Sequence, residues 1–279
     1  MAQTWFITGI SSGIGRAMAQ ALLEGGDRVA GTVRDADVVA TMKAEFPDRL
    51  WVAELDLTET AAIDTVVNRA FEHFGRIDVI INNAGFGLFG ALEGISDERI
   101  RSQLDTNLVG PIHVTKSAVP HLRSQGGGRI IAISTYGGQA AHPGASLYHA
   151  SKWGLEGFME SLAQELAPFD IGVTIVEPGS IRTAFRATAG RNAGSDVESY
   201  KGTPAGMVRT FLEDETRQPI GDPEKIAKRI IESVGITPAP RRLVLGSDAY
   251  AILTKTLSDR LADVQSQSES AASTDFTAS

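Results

Sequence analysis

Short apolar runs alternate with longer amphipathic segments along almost the whole chain, and this alternation limits its possible folds. Most runs are nearly continuously apolar, which is typical of parallel strands covered by helices on both faces of a sheet. The runs predict strands at residues 4–8, 28–33, 50–55, 77–82, 129–134, 172–177 and 242–246. Helical periodicity predicts helices near 13–24, 36–46, 60–74, 96–124, 148–167 and 222–235. We therefore expect an α/β protein: a single doubly wound Rossmann fold with about seven parallel strands.

The composition narrows the class of protein. The chain has 279 residues, 42% hydrophobic and 22% charged, which is typical of a soluble globular protein with a sizeable core. A net charge of −8 without a dense Lys/Arg run argues against nucleic acid or a membrane as a partner. The absence of cysteine excludes disulfides and thiolate chemistry, and no spacing indicates a metal site. Without a secretory signal or an apolar run of ~20 residues, we expect a cytoplasmic protein.

Two segments depart from the alternation. Residues 184–221 contain no clear strand, are rich in Gly, Ser, Thr and Asp, and show a weak helical pattern near 204–213. Such a long insertion after a strand is either disordered or a lid over a substrate. Residues 263–279 are polar and low in complexity, which predicts a flexible tail after one domain spanning 1–262.

A glycine-rich stretch, "TGISSGIG", follows the first predicted strand and opens the first predicted helix. Gly9 allows a sharp turn, Gly13 lets the backbone approach a pyrophosphate, and Gly15 permits close packing of helix and strand. The helix N-terminus would point its N–H groups at the phosphates. Glycines also mark ordinary turns, but the position between a strand and a helix predicts a dinucleotide site.

The end of the second predicted strand indicates which dinucleotide is bound. NAD sites usually place an acidic residue there, whereas this chain has Val33 followed by Arg34. A guanidinium suits the 2′-phosphate of NADP, although Asp35 and Asp37 lie nearby and Arg34 could be a solvated turn residue. We interpret Arg34 as favouring NADP.

A phenol and an ammonium lie one helical turn apart in "YHASK". Tyr148 and Lys152 would share one face of the predicted helix at 148–167. Such a pair occurs by chance on many helix surfaces. The alternative is a site in which the cation acts on the phenol.

Five motifs, each at a predicted strand end or on the helix that follows, resemble those of the short-chain dehydrogenase/reductases over residues 1–250. They are "TGISSGIG", Asp56-Leu57, "NNAG" (82–85), "YHASK" (148–152) and "PGSIRT" (178–183). Within that family the chain looks most similar to bacterial ketone reductases related to 17β-hydroxysteroid dehydrogenases. The resemblance implies cofactor contacts from Gly9, Ser11, Ser12, Gly13, Ile14, Arg34, Asp56, Leu57, Asn83, Ala84, Gly85, Tyr148, Lys152, Pro178, Gly179, Ile181 and Thr183.

The resemblance also implies catalytic roles. Tyr148 would act as the general acid and base, and Lys152 would lower its pKa from the ordinary value of ~10 and bind the nicotinamide ribose. Asn107 would kink its helix and support a water-linked proton relay to Lys152. A serine that hydrogen bonds the substrate oxygen is replaced at the matching position by Thr135, with Ser134 beside it. Strand neighbours point to opposite faces, and the spacing favours Thr135.

These assignments predict reversible NADP-dependent reduction of a hydrophobic ketone or aldehyde. The pocket walls would come from residues 86–89 and 136–142, Leu147 and the lid, with His142 near the mouth, whereas His149 would point to another helical face. A steroid or retinoid dehydrogenase and a non-catalytic NADP-binding sensor are the alternatives, the latter having no need of Tyr148 and Lys152. The family resemblance further implies a homodimer or homotetramer formed through the helices at 96–124 and 148–167.

Overall fold

A computed structural model describes residues 2–214 and 216–276 of the protein. Its centre is a sheet of seven strands, all paired in parallel, in the spatial order β3-β2-β1-β4-β5-β6-β7. The strands are β1 (Thr4–Thr8), β2 (Arg28–Val33), β3 (Leu50–Glu54), β4 (Val79–Asn82), β5 (Gly128–Ile133), β6 (Ile171–Pro178) and β7 (Arg242–Leu245). The order changes direction between β1 and β4, and this confirms the predicted doubly wound Rossmann fold.

Helices cover both faces of the sheet. They are α1 (Gly13–Glu24), α2 (Ala40–Glu45), α3 (Thr60–Phe74), α4 (Asp97–Leu104), α5 (Gly110–Ser124), α6 (Ser146–Leu166), α7 (Phe185–Arg191), α8 (Val208–Glu213), α9 (Pro223–Ser233), α10 (Ser247–Gln265) and α11 (Ser268–Ala272). The side chains of successive strand residues point into two hydrophobic cores, one on each face of the sheet. Phe6 packs with α3, α5 and α6, whereas Trp5 and Ile7 pack with α1, α2 and α9.

The predicted helix at 96–124 is not continuous. A π-helical turn at Asp105–Val109 separates α4 from α5. Such turns rearrange the backbone hydrogen bonds of a helix and are frequent at functional sites. This one contains Asn107, whose side chain is fully buried.

The predicted lid at 184–221 contains α7 and α8, joined by a stretch with one short turn at Glu198–Tyr200. Helix α8 lies within the weak helical pattern predicted for 204–213. Ile181 and Gly221 pair through an isolated β-bridge, so the two ends of the segment lie close together. The segment therefore leaves the sheet edge and returns to it. Its action as a lid stays a prediction.

The sequence did not predict helix α10. Only Ala249 and Leu253 are buried on it, so its apolar pattern is weak. The tail predicted for 263–279 begins inside α10 and includes α11, and every described side chain in it is exposed. Its flexibility stays a prediction, and residues 277–279 lie outside the described part. Within the described residues, no helix has both the length and the apolar character needed to cross a membrane.

Candidate active site

The turn between β1 and α1 has the geometry of a phosphate-binding loop. Gly9 and Gly13 have φ angles of 75° and 59°, in the left-handed region that favours glycine. A Cβ atom on Gly15 would lie 2.2 Å from the Gly9 carbonyl oxygen, so helix and strand meet here without room for a side chain. The side chain of Ser12 makes no capping hydrogen bond, and the first turn of α1 has no acidic residue. The helix N-terminus is thus suited to bind an anion, as a dinucleotide requires.

The "NNAG" segment locks this loop to the end of β4. The Thr8 hydroxyl accepts hydrogen bonds from the backbone N–H groups of Asn83 and Ala84, both at 3.0 Å. The Asn83 amide donates to the carbonyls of Thr8 and Gly9 at 2.8 and 3.0 Å. These bonds hold two adjacent strand ends together at the point where the strand order reverses, which is where ligands bind in such folds.

The predicted adenosine end carries one unengaged cation. Arg34 is exposed, follows the buried Val33, and forms no hydrogen bond or ion pair with any described residue. The nearby carboxylates of Asp35 and Glu54 each accept a hydrogen bond from a backbone N–H group. Asp56 is also exposed and accepts hydrogen bonds from Thr58, while Leu57 is buried in the core.

The hydroxyls of Ser134 and Thr135 leave the end of β5 in different directions. The Thr135 hydroxyl lies 3.4 Å from the Pro178 carbonyl oxygen and accepts a hydrogen bond from the backbone N–H of Gly137 at 3.3 Å. It also hydrogen bonds with Tyr148, which favours the ionised phenol. Ser134 instead donates to Glu156 at 2.5 Å, behind the site. The geometry places Thr135 beside the tyrosine, and its role in catalysis stays a prediction.

Two aromatic rings enclose Tyr148 on the first turn of α6. The rings of Phe89 and Phe185 lie 5.3 and 5.7 Å from the phenol, centroid to centroid. Phe185 is the first residue of α7, so the lid segment reaches the phenol directly. The arrangement forms an apolar wall next to the Tyr148 hydroxyl.

The pKa of Tyr148 differs from the expectation. Burial raises it above the ordinary value, and hydrogen bonding with Thr135 opposes the increase only in part. The net shift is therefore opposite to the lowering expected from Lys152, and the action of the lysine on the phenol stays a prediction. The physical reason is that the rings exclude water from the phenol, while the lysine ammonium donates to a backbone carbonyl.

Lys152 is buried one turn after the tyrosine. Its Nζ donates to the carbonyl oxygen of Ile133, the last residue of β5, at 2.7 Å. Burial lowers the pKa of Lys152 to about 8, and the negative charge of Glu156 acts against this decrease. The ammonium is held at the strand end where the cofactor ribose is predicted to lie.

Asn107 occupies the π-helical turn, as expected for a residue that kinks its helix. Its amide group pairs with the backbone of Phe86, accepting from the N–H at 3.1 Å and donating to the carbonyl at 2.8 Å. The same Nδ2 lies 3.3 Å from the Ser151 hydroxyl, next to Lys152 in sequence. The contact positions the segment after "NNAG" against α6, and a proton relay through Asn107 stays a prediction.

The sequence did not predict the contacts of His149, and its orientation on another helical face than Tyr148 stays a prediction. The side chain is buried, its Nδ1 accepts a hydrogen bond from the backbone N–H of His142 at 3.3 Å, and its ring lies 6.1 Å from that of Tyr148. Burial, with a smaller contribution from His142, lowers the pKa of His149 to about 4. The helix periodicity could not reveal this contact, because it depends on how the loop after β5 folds back.

The "PGSIRT" loop connects the end of β6 to the phosphate loop. Thr183 approaches Gly13 so closely that its Cγ2 would lie 3.5 Å from a Cβ atom there. The backbone N–H of Gly179 donates to Leu245 at 2.8 Å, and Ser180 donates to the Asp248 carboxylate at 2.7 Å. The loop thus lies between the phosphate loop and the start of α10.

Helix α10 also contacts the loop on the substrate side. Arg260 donates to the Gln139 carbonyl and places its guanidinium 4.4 Å from the centre of the Trp153 ring. The Trp153 indole in turn donates to Gly137 at 2.9 Å. Because Asp248 holds the other loop, one helix supports both walls of the site.

The two helices of the lid segment are clasped by one arginine. Arg186 of α7 donates to the carbonyls of Leu212 and Asp214, each at 3.0 Å, and also to those of Phe211 and Arg217. These are carbonyls at and after the C-terminus of α8, where a cation is favourable. These hydrogen bonds connect α8 to the N-terminus of α7, where Phe185 contributes to the aromatic wall.

Comparisons with known proteins identify the family that shares this fold and these motifs. A family model for short chain dehydrogenases matches residues 3–194. "Oxidoreductase BOA17" of Botryotinia fuckeliana is 37% identical over 250 residues, which cover 89% of this chain and 90% of the relative. A "3-ketodihydrosphingosine reductase" of Bacteroides thetaiotaomicron is 33% identical over 258 residues, or 92% of each chain. The protein belongs to the short-chain dehydrogenase/reductase family of oxidoreductases.

Solved structures give the same result. A short-chain dehydrogenase from Streptomyces avermitilis superposes with a TM-score of 0.88 at 35% identity, covering 98% of both chains. A metagenomic short-chain oxidoreductase in complex with NADP has a TM-score of 0.68 at 26% identity, with coverage of 87% and 96%. A protein from Burkholderia phymatum in complex with NAD has a TM-score of 0.81 at 20% identity, covers 95% of each chain, and shares the fold. Both nicotinamide dinucleotides thus occur among the structural neighbours.

Proposed function

We propose that the protein is an NADP-dependent oxidoreductase that reversibly reduces a hydrophobic ketone or aldehyde to the alcohol. The observation that carries this proposal is the position of Tyr148. Its phenol lies between two aromatic rings, beside the Thr135 hydroxyl and one turn before a buried lysine. A non-catalytic sensor would gain nothing from such a group.

The residues divide the proton chemistry among them. Bound NADPH would supply the hydride. Tyr148 gives a proton to the substrate oxygen, and its raised pKa keeps the phenol protonated at neutral pH, as reduction requires. The Thr135 hydroxyl can donate to the same oxygen as negative charge develops on it. Lys152 offers a cation that favours the phenolate left behind.

The preference for NADP rests on Arg34. Its guanidinium is exposed at the end of β2 and pairs with none of the described residues, at a position where an NAD enzyme usually carries an acidic side chain. A phosphate is well matched to a free guanidinium, because the two can form charge-assisted, bidentate hydrogen bonds.

The substrate class rests on the wall of the pocket. Phe89 and Phe185 line it beside the phenol, and His142, whose pKa burial lowers, contributes a neutral polar group near Tyr136. Apolar walls favour a neutral carbonyl compound over a sugar or an acid. The relative from Bacteroides thetaiotaomicron is named as a reductase of a keto compound, which supports the same class. We further propose that the enzyme is cytoplasmic and acts as a homodimer or homotetramer.

The test is NADPH oxidation by the purified protein with aryl ketones, β-ketoesters, steroids and aldehydes. Wild type should reduce one or more apolar carbonyl compounds, and Tyr148→Phe should retain less than about 1% of that activity, because no proton donor remains. Tyr250→Phe, which changes an exposed tyrosine on α10, is the matched control and should behave as wild type. Substantial activity in Tyr148→Phe would show that the proton comes from elsewhere.

A further inference from the structure

A buried carboxylate lies behind the tyrosine and lysine, on the same helix. Glu156 is 3% exposed, and both of its oxygens are used. Oε1 accepts the hydrogen bond from Ser134 at 2.5 Å, and Oε2 accepts one from Arg242 at 2.5 Å. A carboxylate this deeply buried is costly unless it is paired and hydrogen bonded, so its surroundings are built for it.

The surrounding loop shows the same fit. A Cβ atom on Gly138 would lie 1.7 Å from Oε1 of Glu156, so the loop after β5 leaves the carboxylate its space by having no side chain there. The hydroxyl of Ser134 closes the remaining side. Gly138 and Ser134 thus fix the position of the Glu156 carboxylate.

The charges around Glu156 do not balance. Arg242 of β7 also bonds Glu160 of α6 and Glu177 of β6, each at 2.7 Å. Glu177 is fully buried, and its Oε2 has no hydrogen-bond partner among the described residues. The ionisable groups that face Glu156 are therefore Lys152 and Glu160 on its own helix, Glu177 on β6 and Arg242 on β7. Three carboxylates share one guanidinium. Burial raises the pKa of Glu156, whereas its hydrogen bonds with Arg242 and Ser134 favour the charged form, so a second cation nearby would stabilise the carboxylate further.

Lys152 can be that cation: it makes no direct ion pair with Glu156 in the described structure, but the charge of the carboxylate acts on it at longer range. Tyr148, Lys152 and Glu156 follow one another at intervals of four along α6, on one face of the helix. Lys152 holds the carbonyl of Ile133 and Glu156 holds the side chain of Ser134, so helix and strand are joined at consecutive strand residues. Thr135, which lies beside the phenol, comes next.

We propose that Glu156 is a positioning residue that keeps the Lys152 ammonium charged at the end of β5 in the working pH range. The proposal rests on the proposed function, because a charged Lys152 matters for the proton held by Tyr148. Burial alone lowers the pKa of the lysine, and the nearby carboxylate opposes that decrease. Without the carboxylate's charge the pKa falls further, and the lysine becomes neutral at a lower pH.

The test titrates Lys152 directly. The chain has seven lysines, and Lys152 is the buried one, so its ¹³Cε resonance in protein labelled at lysine should titrate apart from the others. The resonance is assigned by its loss in Lys152→Met. Glu156→Gln, which keeps an acceptor for Ser134 but removes the charge, should lower the titration midpoint by about one pH unit or more.

Glu160→Gln is the matched control. Glu160 binds the same guanidinium from the same helix, but it is half exposed and its carboxylate forms no hydrogen bond with β5 within the described residues, so the midpoint should stay within about 0.3 of the wild-type value. In the reduction assay, the loss of kcat at alkaline pH should move to lower pH in Glu156→Gln and stay in place in Glu160→Gln. A structural role alone would lower the melting temperature without moving either midpoint.

The outcomes separate this proposal from the proposed function. An unchanged lysine midpoint in folded Glu156→Gln overturns the role of Glu156, whether or not the enzyme reduces ketones. Absence of any carbonyl reduction by wild type overturns the proposed function, while the lysine titration still decides the role of Glu156. If Glu156→Gln does not fold, Glu156→Asp replaces it. That shorter carboxylate retreats from the lysine and should give a smaller shift in the same direction, and no shift overturns the proposal.

Discussion

Ser134 and Thr135 are neighbours in sequence, yet their hydroxyls serve opposite sides of the strand end. Thr135 lies beside the phenol of Tyr148, and Ser134 donates to the buried carboxylate of Glu156. The alternation of side chains along an extended backbone produces this division. Two similar residues thus have separable effects on the enzyme.

We predict that Thr135→Ala lowers kcat by about 100-fold or more, as expected when a donor to a developing oxyanion is lost. Ser134→Ala should cost far less, because its hydroxyl does not reach the reacting atoms. Steady-state kinetics in the reduction direction provide the measurement. The reverse ranking would transfer the role to Ser134.

Arg34→Asp should weaken the binding and use of NADPH and leave those of NADH intact. An acidic side chain repels a 2′-phosphate and can accept a hydrogen bond from a ribose hydroxyl. The measurement is kcat/KM with each cofactor at low salt. Lys43→Asp makes the same charge change at an exposed site on α2 and should leave the ratio of the two values unchanged. A wild-type enzyme that uses NADH equally well would remove the basis of the assignment.

Lys152→Met should nearly abolish alcohol oxidation at neutral pH, because oxidation needs the Tyr148 phenolate and the favourable charge is gone. Activity should return in part towards alkaline pH. Since burial raises the pKa of the phenol, the return should begin above the ordinary range of ~10. A pH–rate profile of oxidation, with Tyr148→Phe beside it as the variant that never recovers, provides the check. Full activity of Lys152→Met at neutral pH would contradict the assignment.

The reduction rate of the wild type should fall as pH rises through about 8, where Lys152 loses its proton. The sign follows from burial, which lowers the pKa of the lysine below its ordinary value, so the charge is present below that pH and lost above it. Tyr148 stays protonated over this range, because its pKa is raised. The measurement needs conditions in which hydride transfer limits the rate. A reduction rate that stays constant up to pH 10 would contradict the prediction.

Arg186→Met should release α8 from α7, because the carbonyls that the guanidinium now binds lose their donor. We expect faster hydrogen exchange over α8 and a lower kcat/KM, since Phe185 loses its support. Arg191→Met is the control, because it removes an exposed arginine of α7 whose side chain bonds, within the described part of the chain, to the Thr188 hydroxyl. In wild type, exchange over the lid should slow when cofactor and substrate are both bound, and unchanged exchange would indicate a linker.

The sheet and the motif positions could be predicted because both depend on local patterns. Apolar runs place the strands, and the residues that follow them, such as Gly9 and Asn83, meet at one edge whatever else the chain does. Contacts between segments that are distant in sequence, made where a loop folds back on the sheet, could not be predicted from local patterns. The place of His149 depends on the loop after β5, and the pKa of Tyr148 depends on Phe89 and Phe185, which are distant in sequence. Helix α10 was missed because its anchors are polar, and polar anchors leave no periodicity.

The two anchors of α10 have a consequence for biosynthesis. Asp248 holds the loop at Ser180, and Arg260 holds the loop at Gln139, so walls made by the middle of the chain are fixed by a helix that follows the last strand of the sheet. During translation the sheet can assemble from β1 to β6 while α10 is still inside the ribosome. A nascent chain will therefore form the nucleotide loop before its pocket, and catalytic competence should arrive only once α10 has emerged and docked.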